Sequence, residues 1–128
     1  MDPHAVLAES VVEVAPDRYA VVTTDQRIGD AFATVDDGRE LTHVVREDRL
    51  ANVETRRAEP GWVLLTFDAD LPFELVGFLA VVATALADEE VSIFALSAYS
   101  TDHVLVKEAD ADRAVETLSE LGCGIRRR

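Results

Sequence analysis

Three histidines (His4, His43 and His103), one cysteine (Cys123) and 25 acidic residues are the side chains of this 128-residue sequence suited to acid–base, nucleophilic or metal chemistry. Asp102-His103 is the nearest approach to a catalytic dyad. Neighbours in a strand point to opposite faces, so the two side chains diverge if both lie in one, and no nucleophile motif accompanies them. The close acidic pairs are Asp36-Asp37, Asp68-x-Asp70 and Asp110-x-Asp112, and no calcium-loop pattern follows any of them. They read as solvated turns and helix starts. A single cysteine has no second thiol with which to form an internal disulfide or a metal clip. The sequence therefore predicts a protein that is not an enzyme and carries no metal or cofactor, with His43 and His103 as surface or interface residues.

Charge narrows the partners. The formal net charge is −13, from 25 Asp plus Glu against 12 Lys plus Arg. Polyanions are repelled, and the only basic clusters are Arg56-Arg57 and Arg126-Arg127-Arg128, too few to displace counterions along a nucleic acid. Lys107 is the sole lysine. An acidic, arginine-dominated surface of this kind stays hydrated at high salt, where self-repulsion is screened, and suggests a salt-loving host. The longest nearly apolar run, Leu75 to Ala87, falls short of the roughly 20 residues that span a bilayer. Asp2, Glu9 and Glu13 stand where a secretory signal needs a basic segment and an apolar stretch. These features predict a cytoplasmic protein with neither a nucleic-acid nor a membrane partner.

The elements that must position any site fall into two stretches. Before residue 60 the β-branched pieces are short. Val11 to Val14 and Tyr19 to Thr23, separated by Ala15-Pro16-Asp17-Arg18, read as a hairpin. Phe32 to Val35 leads into an Asp36-Asp37-Gly38 turn, and Glu40 to Val45 reads as a short helix running into a strand. A polar link from Arg56 to Gly61 places a boundary near Pro60, giving units 1–59 and 60–128. Beyond it, Trp62 to Phe67 is apolar on both faces, as a central strand is. Pro72 suits the first turn of a helix whose stripe is Leu75, Phe78, Leu79, Val82, Ala83 and Leu86. Val91 to Ser97 and His103 to Lys107 form a second hairpin. A helix capped by Asp110 carries Ala111, Ala114, Val115, Leu118 and Leu121 and stops at Gly122, before an edge strand at Cys123 to Ile125.

This succession is βαββα with a closing β, the ferredoxin-like α+β arrangement of an antiparallel sheet with both helices on one face. Val63, Leu65, Phe94 and Leu96 add apolar surface beyond what one helix layer needs, which predicts burial of the other face against a partner sheet.

Three stretches then carry a family likeness: Gly61-Trp62, Leu75-Val76-Gly77-Phe78-Leu79, and Leu96-Ser97-Ala98-Tyr99-Ser100-Thr101-Asp102-His103-Val104-Leu105-Val106. With Phe32 to Val45, they make the chain resemble the ACT domains of the CASTOR-like family over about residues 10 to 122. The Ser-x-Tyr-x-Thr-Asp stretch before an apolar strand is the most specific element. The sequence departs from commoner family forms at His103, where Tyr or Phe is expected.

The resemblance implies two tandem ACT units with antiparallel sheets, the first degenerate, in a regulatory protein that binds a free amino acid at an interface between units; the edge strands and the excess apolar sheet face favour a homodimer. It nominates Leu75, Val76, Gly77 and Phe78 on one wall of the ligand site and Ser97, Ser100, Thr101 and Asp102 on the other. Amides at a helix start near Val76-Gly77 would hold the carboxylate, and Asp102 with Thr101 or Ser100 the ammonium. From the residues alone two bland readings stay open: Gly77 serves close helix–sheet packing, and Ser100-Thr101-Asp102 is a polar turn. The alternative function is a ligand-free protein–protein interaction module that uses its open sheet face.

Overall fold

The computed structural model describes residues 1–128. Seven strands are present: β1 (Val11–Thr24), β2 (Ala33–Asp36), β3 (Leu41–Arg46), β4 (Arg57–Asp68), β5 (Ile93–Ser97), β6 (Asp102–Lys107) and β7 (Gly124–Arg127). Three α-helices accompany them: α1 (Pro3–Ala8), α2 (Phe78–Asp88) and α3 (Ala111–Glu120). Strand neighbours run β2-β3-β1-β4-β6-β5, with β7 also pairing with β1. Two compact units emerge, Asp17–Trp62 and the rest of the chain, so the predicted boundary at Pro60 lies inside β4. No helix is long and apolar enough to cross a membrane.

The larger unit, Met1–Pro16 with Val63–Arg128, contains the ferredoxin-like succession β4-α2-β5-β6-α3-β7. Alternate residues Val63, Leu65 and Phe67 of β4, Val104 and Val106 of β6, and Val12 and Val14 of β1 turn to one side. There they meet Leu7 of α1, Phe78, Val82 and Leu86 of α2, and Ala114 and Leu118 of α3 in one core. Val63 and Leu65 thus belong to the helix-covered face, contrary to the expectation that they dress the open one. Leu64 and Leu105, which alternate with these core residues, are fully buried as well.

Helix α1 was not expected. Asp2 accepts a hydrogen bond from the His4 amide at its start, Pro3 sits in its first turn, and Leu7 anchors it. Helix α2 begins at Phe78 and not near Pro72, because Gly77 at φ +88° ends the preceding loop in a left-handed conformation. Asp110 does stand at the N-cap of α3, yet its carboxylate goes to Arg113 (2.8 Å) instead of to a helix amide. Strand β7 pairs in parallel with β1, Val11 to Val14 against Gly124 to Arg127.

The expected hairpin at Ala15 to Arg18 is replaced by one continuous 14-residue strand. Val11 to Val14 of β1 register with β7, and Tyr19 to Thr24 with β3. Pro16 falls between the two registers, where its missing N–H interrupts neither the β7 nor the β3 ladder. Where a short helix running into a strand was expected over Glu40 to Val45, strand β3 runs from Leu41 to Arg46, paired on one edge with β1 and on the other with β2. β-Branched Thr42, Val44 and Val45, with a strand neighbour on each edge, keep the whole stretch extended. The small core is Ala20, Val22 and Val45, with Ile28, Ala31 and Leu50 against it.

Candidate ligand cleft

The segment between β4 and α2 is shaped by its own backbone bonds. Ala69 N–H donates to Phe67 O (2.9 Å), and Leu75 N–H to Pro72 O (3.1 Å). Leu71 N–H donates to Ser100 O at 2.7 Å, which ties this loop to the connection between β5 and β6. That connection is closed by Ala98 N–H to Thr101 O (2.8 Å) and by the Ser97–Asp102 register pair. Phe78 then plunges into the core edge-on to Phe67, with ring centroids 5.4 Å apart, and fixes where α2 begins.

Between the two loops lies a cleft of about 400 Å³. Leu75, Gly77 and Phe78 line one wall, and Ser97, Ser100, Thr101 and Asp102 the other. The structure therefore brings together seven of the eight residues nominated from sequence. Val76 does not line the cleft; its side chain points to solvent with 80% of its surface exposed. Sequence reasoning missed Leu71, Phe73, Leu79 and Tyr99, which also line it. Phe73 and Tyr99 had a legible signal, since each is an aromatic residue set in an otherwise turn-like stretch.

The polar equipment is compact. Helix α2 has no side-chain cap, and Val81 N–H to Gly77 O (3.0 Å) closes its first turn. The amides of Phe78, Leu79 and Ala80 therefore have no partner within the helix, and they carry the positive end of its dipole. Opposite, Ser97 Oγ donates to Asp102 Oδ1 at 2.6 Å, which leaves the other carboxylate oxygen to accept from a ligand. A site with amide donors on one wall and a carboxylate on the other suits a zwitterion.

His103 lies next to this site without joining Asp102 in a dyad. Its Nδ1 is 2.9 Å from Thr66 Oγ1 on β4, whereas Asp102 is held by Ser97. Burial pushes the His103 pKa down from its ordinary value of 6.5, and the Asp102 charge opposes that shift. His43, expected at the surface or an interface, is fully buried: Thr34 Oγ1 stands 2.8 Å from Nδ1 and Thr24 Oγ1 3.1 Å from Nε2. Two hydroxyls satisfy both ring nitrogens, so the ring enters the interior uncharged. Burial also lowers its pKa from 6.5, with the nearby Arg27 charge adding to the effect and the Gln26 backbone opposing it.

The smaller unit has a larger cleft of about 660 Å³ between residues 25–29 and 52–56. Its charges are mutually engaged: Arg56 Nε donates to Asp25, and the guanidinium of Arg27 to Asp36.

The ACT domain family pattern matches residues 57–120, and the chain belongs to that family. Those residues contain the whole 400 Å³ cleft. ACT domains are generally small-molecule regulatory domains. Among solved structures, a protein from Agobacterium tumefaciens is 22% identical, with a TM-score of 0.79 over 94% of each chain. A protein of unknown function from Vibrio cholerae, described as a possible transport protein, is 24% identical, with a TM-score of 0.73 over 93% of this chain and 94% of its own. The ligand-free regulatory subunit of aspartate kinase from Thermus thermophilus is 12% identical, with a TM-score of 0.62 over 86% of this chain and 95% of its own. At these identities the likeness is one of fold.

Proposed function

We propose that this chain is a regulatory ACT-domain protein of the CASTOR-like kind that binds a free amino acid in the cleft between the loop entering α2 and the β5–β6 connection. The observation that carries the reading is the convergence of uncapped α2 amides and the Asp102 carboxylate on a cleft of about 400 Å³, a volume within the usual range for small ligands. Chemistry is not part of the role: Asp102 and His103 have separate partners, and the protein acts by changing shape or association when the ligand binds.

The tandem reading belongs to the same proposal: a degenerate ACT unit within residues 1–59 precedes the full one at 60–128. Its support is a repeated device. His43 on β3 pairs with Thr24 on β1, and His103 on β6 pairs with Thr66 on β4; a 3-10 turn follows each histidine-bearing strand. We further propose that the protein works in the cytoplasm as a homodimer, with the ligand at an interface between ACT units.

A thermal-shift screen against the twenty amino acids and a few nucleotides, in high and low salt, tests the reading. Binding that favours the folded state stabilises it by about 2.7 kcal/mol at a hundredfold excess over Kd. A selective shift with one amino acid is the expected result; a folded sample silent across the panel overturns it. The second reading, a ligand-free interaction module, draws on Phe73, Val76 and Tyr99, which are 73%, 80% and 82% exposed around the cleft. It predicts silence in the screen.

A further inference from the structure

We propose that the cleft selects an α-amino acid with an apolar side chain and seats that side chain against the Phe73–Tyr99 ring pair. The inference rests on the amino-acid reading above and adds the chemical class of the side chain.

Charge is the first argument. Asp102 is the only charged residue lining the cleft, and a bound zwitterion uses it for the ammonium group. Nothing cationic remains for an acidic side chain, and no second carboxylate for a basic one. A charged side chain gains no ion pair there, whereas an aliphatic or aromatic one gains by covering apolar surface. The walls instead present Leu71, Leu75, Phe78 and Leu79.

The mouth supplies the second argument. Phe73 and Tyr99 belong to different loops, yet their rings lie 4.7 Å apart and tilted by 59°, each mostly in water. The Leu71 N–H to Ser100 O bond sets this spacing by joining the loops beside them. Two large rings held together at the lip of a cleft give an aliphatic or aromatic side chain apolar surface to cover, and removing that surface from water favours binding. The cleft at residues 25–29 and 52–56 has the opposite character, with Asp25, Arg27, Glu54 and Arg56 around it. No ion-pairing group other than Asp102 lines the Phe73–Tyr99 cleft.

Isothermal titration of the full chain with leucine, phenylalanine, aspartate, lysine and 4-methylpentanoate, repeated on the F73S/Y99S variant, tests the proposal. Leucine or phenylalanine should bind at least about tenfold more tightly than aspartate and lysine, and the variant should lose about tenfold of that affinity. Both rings are exposed, so the unliganded variant should keep the parent melting temperature. Aspartate or lysine binding as tightly as leucine and phenylalanine would overturn the side-chain inference and leave the amino-acid reading standing. Unchanged leucine and phenylalanine affinity in the variant would overturn the role of the ring pair. If 4-methylpentanoate, which lacks the amino group, binds as well as leucine, the amino-acid reading fails. No binding by any of the five overturns the inference, and silence of all twenty amino acids in the thermal screen overturns the reading beneath it.

Discussion

His43 Nδ1 lies 2.8 Å from Thr34 Oγ1, directly across the β2–β3 ladder. On the other side of the ring, Thr24 spends its hydroxyl proton on Gln26 O at 2.6 Å, so His43 Nε2 must donate to Thr24 Oγ1. The neutral ring therefore carries its proton on Nε2 and accepts from Thr34 at Nδ1. Protonating Nδ1 removes that acceptor and places a charge in a fully buried position.

This arrangement sets a pH dependence. Burial lowers the folded-state pKa values of His43 and His103 below the ordinary 6.5, so the unfolded chain binds more protons in the window just under that value. Stability then rises with pH through the window, is fully present above about 6.5, and is lost as pH falls toward the folded values. Urea unfolding at fixed high salt between pH 8 and pH 5 should show this fall, and His43→Gln should flatten part of it. His43→Ala should cost about 2–4 kcal/mol, from the cavity and the stranded hydroxyls. A pH profile identical in His43→Gln and the parent would remove His43 as a contributor.

The histidine also marks where sequence reasoning stops. The βαββαβ succession after residue 60 is legible because Val82 and Leu86 repeat at helical spacing and Val104 and Val106 at strand spacing, each facing one core. Before residue 60 the deciding contacts are long-range. Nothing local tells that Val11 and Tyr19 belong to one strand, since β7, more than 100 residues away, pairs with the first half and β3 with the second. Burial of His43 depends on two threonines from two other strands. In the candidate site the polar residues were legible through the family resemblance; Phe73 and Tyr99 stood out only as single aromatics in turn-like stretches, and their pairing at 4.7 Å across two loops was not legible.

Glycines 77 and 122 should respond differently to substitution. Both have positive φ, +88° and +103°. A Cβ added at Gly77 meets only Pro3 Cγ at 3.7 Å, so Gly77→Ala carries backbone strain alone, about 1–2 kcal/mol. At Gly122 the added atom lies 3.0 Å from Ala8 Cβ and 3.1 Å from Ala8 Cα, and α1 must shift. Gly122→Ala should therefore cost the same strain plus about 1–3 kcal/mol of overpacking. Chemical denaturation of the two variants checks the order, and equal losses would contradict it.

Helix α1 shields the single thiol. Cys123 is 5% exposed, its Sγ–H points to Leu7 O at 3.3 Å, and burial raises its pKa. A thiol that is both covered and protonated reacts slowly with a disulfide reagent at pH 8. Leu7→Ala should destabilise the fold by about 2–4 kcal/mol and speed labelling of Cys123 at least about tenfold, because α1 loses its anchor. Labelling at the parent rate in a measurably destabilised variant would show that the thiol opens by a route independent of α1.

Asp102 is the residue on which the amino-acid reading stands most exposed to test. Its carboxylate is bound to Ser97 in the partly exposed β5–β6 connection, and Val104, Leu105 and Val106 behind it hold the strand whether or not that bond is made. Asp102→Ala should therefore change stability by no more than about 1 kcal/mol, the range of an ordinary solvent-exposed hydrogen bond. The same change removes the acceptor proposed for the ligand ammonium, a charge-assisted contact of about 1.5–3 kcal/mol, so affinity should fall by roughly 10- to 100-fold. Asp102→Asn, which keeps an oxygen for Ser97 and loses only the charge, separates the two roles: it should restore the parent melting temperature and not the ligand response. If Asp102→Asn binds like the parent, the ammonium is held elsewhere and Asp102 belongs to the turn.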